Sequence, residues 1–178
     1  DKNIQYIGQS GLDFQRTKAN IFTTKVDWKL SDKVTIENKT RIGKADNAFI
    51  VSGYNSRFDS GIRPFNAWQE NKYVGNQTNV LFDQTIWGKE HNFVTGVEYA
   101  KETAHTGNYT VATDASVPDI NPYAPDNNSW SGTITKNDSN KSVIKTASAY
   151  VMDTITLSDD WEIFTGVRYD HFDYSLTT

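Results

Sequence analysis

The sequence predicts an all-β chain, in which antiparallel hairpins form part of a transmembrane β-barrel. Three observations carry that reading. The first is alternation. In the last long run, Trp161, Ile163, Thr165, Val167 and Tyr169 share one face, while Glu162, Phe164, Gly166, Arg168 and Asp170 share the other. Side chains that alternate with period two belong to a strand. The second is length, since such runs exceed the about 5–6 residues usual for strands of soluble proteins. The third is the placing of tryptophan. Trp28, Trp87 and Trp161 each stand close to a predicted short turn, as in an interfacial girdle where amphipathic rings sit at headgroup level.

Residues 1–13 read as the end of a preceding loop. The first hairpin spans 14–53. Phe22, Val26, Trp28 and Leu30 face one way, Lys25, Asp27 and Lys29 the other, and Ser31-Asp32-Lys33 makes the turn. On the return strand Ile36 and Ile42 continue the apolar face, with Asn38 as an exception. A long loop then covers 54–72. The second hairpin spans 73–107 and turns at Gly88-Lys89-Glu90. The facing of its first strand stays open, because Val80, Phe82 and Ile86 compete with Leu81 and Trp87 for the apolar side. A second long loop, 109–141, holds Pro118, Pro122 and Pro125 among many Asn, Asp, Ser and Thr residues. The third hairpin spans 143–174 and turns at Ser158-Asp159-Asp160. Short turns at one end and long loops at the other match outer-membrane barrels, whose turns are periplasmic and whose loops are extracellular. Phe22, Val26, Trp28, Ile36, Val97, Val167 and Tyr169 are expected to face lipid.

Composition excludes several classes. The formal charge is −4 with both signs interspersed, which is no footprint for nucleic acid. There is no cysteine, so no disulfide framework or thiol chemistry. Mean hydropathy is −0.64. That value suits a barrel, where only alternate residues meet lipid. No apolar run reaches the about 18 residues of a transmembrane helix. The sequence has no phosphate-binding glycine loop, nucleophile elbow or HExxH motif. His91, His105 and His171 have no metal-ligand spacing. The chain therefore reads as no enzyme, with no cofactor and no metal.

Three strings carry a family resemblance. AYVMDTITLSDDWEIFTGVRYDHFD resembles the YxxDxxxLxDxWxxxxGxRYDxF stretch of TonB-dependent outer-membrane receptors, through Tyr150, Asp153, Leu157, Asp159, Trp161, Gly166, Arg168, Tyr169, Asp170 and Phe172. HNFVTGVEYAKE, residues 91–102, is similar to their HxLxxGxEYxxE strand, and residues 11–47 are similar to their preceding hairpin. The nearest group is the catecholate siderophore receptors. The resemblance implies a bacterial outer-membrane receptor that takes up a ferric siderophore. Its complete barrel has about 22 strands around a plug. Residues 1–178 are expected to supply about six of those strands, with the plug domain absent from the chain. Six strands cannot close, and open edges are not tolerated in hydrocarbon. The implied partners are the ferric siderophore, outer-membrane lipid and, through the plug, the TonB energy-coupling complex.

Two sets of residues are candidates for function. Arg63, Trp68, Tyr109 and Trp130 fall in the predicted long loops. Arginine offers a permanent charge and a donor fork, and the aromatics offer rigid amphipathic surface, so an anionic, aromatic ferric catecholate suits them. The plainer reading is that the aromatics pin the loops. Lys39, Arg41, Glu98, Arg168 and Asp170 fall on the polar face. They either bind the plug or form a solvated lumen wall, and the resemblance favours the plug. A passive porin-type barrel and a soluble β-sandwich binding module are the alternatives.

Overall fold

The computed structural model describes residues 5–55, 57 and 60–178. Six strands follow in order: β1 Phe14–Ser31, β2 Val34–Tyr54, β3 Ile62–Ile86, β4 Lys89–Thr113, β5 Gly132–Ser158 and β6 Trp161–Thr177. They form one sheet in which each strand pairs with its sequence neighbour, always antiparallel. β1 and β6 are paired on one side only.

The register joins the alternating residues into two continuous faces. One row runs Trp28, Ile36, Val80, Thr95, Val151, Val167 across all six strands. Phe22, Val26, Val97 and Tyr169 lie on that same face. Apolar side chains of this face are open to the outside on the inner strands too: Val97 of β4 is 58% exposed and Val74 of β3 47%. The pairing also decides the facing of β3. Val80 and Phe82 belong to the apolar face, and Leu81 pairs with Val94 on the other. The exception at Asn38 has a local explanation. Asn38 and Asn76 exchange amide hydrogen bonds at 3.2 Å, and each also donates to a threonine, Thr78 and Thr40, at 2.8 Å. The amides satisfy one another, which lowers the cost of placing them on an apolar face.

Three boundaries differ from expectation. The turn of the second hairpin is Trp87-Gly88 rather than Gly88-Lys89-Glu90. Both residues have positive φ, 50° and 75°, as a two-residue type I′ turn requires. The loop predicted over 54–72 is shorter, because β2 runs through Tyr54 and β3 begins at Ile62. Pro64 and Asn66 therefore lie in a strand. Residues 62–67 pair only with β2, an edge position where proline is tolerated. The loop predicted over 109–141 shrinks to 114–131, since β4 continues to Thr113 and β5 starts at Gly132. Apolar residues are sparse on those extensions, Tyr109 and Val111 on β4 and Ile134 on β5, and hydropathy alternation over so few positions does not reveal them. They are held by pairing and by amide ladders, such as Asn137 donating to Asn108 and Thr110.

A small core sits at the loop end of the sheet. Leu12, Ile50, Ile62, Val117 and Ile120 are buried, with Phe14, Tyr109 and Trp130 packed around them. The segment before β1 and the 114–131 loop are stitched together there. Gln9 donates to the Asp126 carbonyl and accepts from the Trp130 backbone N–H. Asn127 donates to the carbonyls of Tyr6 and Gly8.

Candidate functional site: the polar wall and the loop end

The polar face carries a network that spans four strands. Arg168 of β6 is its hub. Its guanidinium donates to Glu98 of β4 at 3.0 Å, to Ser148 of β5 at 2.9 Å, and through Nε to Asp170 at 2.8 Å. It also stands over the Tyr150 ring at 5.2 Å. Tyr150 leaves its own strand, β5, and reaches β3. Its hydroxyl accepts from Gln77 at 2.7 Å and donates to Asn79. Gly96 of β4 makes the crossing possible. A Cβ there would lie 2.6 Å from the tyrosine ring and 2.4 Å from the Asn79 side-chain oxygen. The residues that carried the family resemblance in two separate strings, Gly96 and Glu98 in one and Tyr150, Arg168 and Asp170 in the other, thus form one constellation.

Lys39 and Arg41 lie on the same face of β2, opposite Gln77 and Gly75 of β3. Among the described residues neither makes an ion pair, whereas Lys25 beside them is held by Glu37 at 2.9 Å and Asp27 at 3.1 Å. Next to Arg41 an open groove of about 370 Å³ crosses β1 to β5, lined by Ala19, Gly43, Ala45 and Ala104 together with larger side chains such as Ile21, Tyr73 and Ile144. The wall therefore combines a preorganised ionic cluster, two cations without an ion pair among the described residues, and an open groove.

The four residues predicted to capture ligand are not gathered. Three sit on strands rather than loops. Trp68 is on β3, on the apolar face, and 5% exposed. Its ring N–H donates to the Asn137 carbonyl at 2.8 Å, His105 meets it edge-on at 4.9 Å, and Lys136 stands 3.8 Å over its face. Gly107 clears the space, since a Cβ there would lie 2.4 Å from the indole nitrogen. Tyr109 is on β4 and packs edge-on against Phe14 at 5.7 Å. Trp130 alone lies on the loop, where its ring donates to Thr113 at 3.0 Å. Tyr109 and Trp130 line one core, Trp68 stands apart, and Arg63 projects from the opposite face. Arg63 is exposed, with its guanidinium 4.7 Å over the Phe65 ring.

One pair escaped the sequence reading. His91 Nδ1 lies 2.6 Å from Asp153 Oδ2, and both are nearly buried on the apolar face near the short turns. His91 stacks on Phe93, which stacks on Phe82. The two residues lie 62 apart in sequence. The only signal was that both belong to the strings bearing the resemblance.

Comparison with known proteins gives one family. The model of the TonB dependent receptor-like, beta-barrel family matches residues 2–178. The catecholate siderophore receptor Fiu of Escherichia coli K12 is 27% identical, over 93% of this chain and 24% of its own length. The probable TonB-dependent siderophore receptor PiuA of Acinetobacter baumannii is 21% identical, over 97% of the chain and 26% of its own length. The chain thus spans about a quarter of the curated relatives it matches. Crystal structures of PiuA and of the open form of Fiu superpose with TM-scores of 0.80 and 0.77, at 20% and 22% identity. They cover 96% and 97% of the chain, and 28% of each solved structure is matched.

Proposed function

We infer the function from one premise: the chain belongs to the TonB-dependent receptor-like β-barrel family. It is a section of barrel wall in a bacterial outer-membrane receptor that takes up a ferric siderophore, of the catecholate class named for Fiu. The observation that carries this reading is the division of the sheet into a bare apolar face and an ionic face. The apolar face meets lipid. The ionic face lines the lumen, where the Arg168 network, Lys39 and Arg41 hold a plug domain through which the TonB complex supplies energy. Hydrogen-bonded charges fixed in advance lose little freedom when a partner docks. Arg63 is the residue of this section placed to attract an anionic ferric catecholate, with Phe65 as its aromatic neighbour. Trp68, Tyr109 and Trp130 contribute by holding the shape of the loop end.

The test uses the complete receptor in cells lacking other ferric catecholate receptors, with binding and uptake of a labelled ferric catecholate measured separately. Arg63→Ala should weaken binding by roughly ten- to thirtyfold, within the range of an interfacial arginine. Arg168→Gln should leave surface binding intact and lower uptake. A parent receptor that binds no ferric catecholate overturns the reading. Uptake that continues without the energy complex would favour a passive pore.

A further inference from the structure

The loop end of the sheet is packed on one side only. Phe14, Ile50 and Ile62 point from the same face as Phe22 and Val26, and Tyr109 and Val111 share that face on β4. Leu12 from the segment before β1, with Val117 and Ile120 from the 114–131 loop, closes over them. The loop has therefore folded against the apolar side of the wall. The ionic side is left open at the same level. Val51 and Phe65, paired in register, are 47% and 50% exposed, and Arg63 beside them is exposed.

Three segments share this packing, and hydrogen bonds tie each to the next. The Ile120 backbone N–H donates to the Ser60 carbonyl at the β2–β3 tip at 3.1 Å. The Gln5 backbone N–H donates to the Pro122 carbonyl at 3.0 Å, and that of Ser10 to the Asn127 carbonyl at 2.8 Å. The Ser10 hydroxyl donates to the Asn128 side-chain oxygen at 2.6 Å. Asp13 fastens the whole to β2, accepting from the Ser52 backbone N–H at 3.0 Å and from the Ser52 hydroxyl at 2.5 Å. Ser52 is buried and adjoins Gly53, the register partner of Arg63.

We propose that the segment before β1, the β2–β3 tip and the 114–131 loop form one rigid body, which holds the mouth open on this side and fixes Arg63 from behind, with Asp13 as the positioning residue. The loop is a brace and not a lid. The inference rests on the reading of Arg63 as a residue that attracts an anionic ferric catecholate. Loops that move in function make few buried apolar contacts, whereas this one supplies Val117 and Ile120 to a buried core. Swinging over the mouth would return Leu12, Ile50 and Ile62 to water and strip Gln9 of its bonds to the loop, both unfavourable. Successive strand residues point to opposite faces, so a strand clamped on one face presents Arg63 and Phe65 in a fixed direction on the other.

The complete receptor, freed of other cysteines, carries S10C/N128C. The disulfide should form in high yield with and without a ferric catecholate. Binding and uptake by the oxidised form should stay within about twofold of the reduced form. Uptake lost on oxidation and restored by reductant means that the loop must move, and overturns the proposal. In a separate variant, spin labels at Thr17 and Asp119 should give one distance that the ferric catecholate leaves unchanged, and a shorter population appearing with ligand overturns it too. D13A, at equal surface expression, should weaken binding roughly five- to tenfold, no more than R63A, and D13A/R63A should bind like R63A alone. D13N, which keeps an acceptor for the Ser52 N–H, should recover part of the loss. Additive losses, or an unchanged D13A, overturn the positioning role, because a merely structural residue would not act through Arg63. A parent that binds the ferric catecholate but shows a poorly formed disulfide and a broad label distance removes this inference alone. A parent that binds none removes the functional reading and the role of Arg63 with it.

Discussion

The two faces of the sheet handle polar groups in opposite ways. On the apolar face, the hydrogen bonds between polar side chains are local, and Asp153 Oδ1 is buried without a partner among the described residues. Asn38 and Asn76 bond each other and their threonine neighbours, and His91 meets Asp153 on the next strand. On the polar face the contacts are long. Tyr150 crosses β4 to reach Gln77 and Asn79, and Arg168 joins three strands. The difference matches the medium each face is proposed to meet. Hydrocarbon offers no hydrogen bonds, so polar groups facing it must be satisfied by near neighbours. A face that receives a protein partner gains from side chains already held in place.

The largest expected effect breaks the apolar face. Val97→Arg or Val167→Arg should cost about 2–4 kcal/mol near the bilayer midplane, measured as unfolding free energy of the complete receptor in bilayers. A value near zero at both positions would mean that this face does not meet lipid. Next comes the long crossing. Gly96→Ala places a Cβ within 2.6 Å of the Tyr150 ring. It should cost about 1–3 kcal/mol, the usual penalty of overpacking, and double-mutant analysis with Tyr150→Phe should show strong coupling. Additive effects would mean that the crossing is incidental. The smallest effect sharpens the comparison. Asn38→Leu with Asn76→Leu removes both amides together, so stability should stay within about 0.5 kcal/mol of the parent. Either single change should cost more than the double, because it strands the remaining amide.

The particular errors of the sequence reading share one cause. Trp68 and Tyr109 looked like loop residues because the polar stretches around them show no alternation, yet both sit on strands. Their strands exist because partners far along the chain pair with them. Trp68 donates to a carbonyl 69 residues away. Arg63, read as a loop residue of the same kind as Trp68, projects from the opposite face, a matter of parity that only the register settles.

By itself the sequence determined the all-β class, the hairpin succession, the apolar face from Phe22 to Tyr169 outside β3, and the short turns after β1 and β5. Each of these depends on period-two patterning or turn chemistry within a few residues. Only the tertiary structure decided how far the polar strands extend. The same holds for the residues that cross from strand to strand at Gly96 and Gly107, and for the amides that satisfy each other on the apolar face. These depend on cross-strand register, which places side chains dozens of residues apart within hydrogen-bond distance, and no local periodicity encodes which of them will meet.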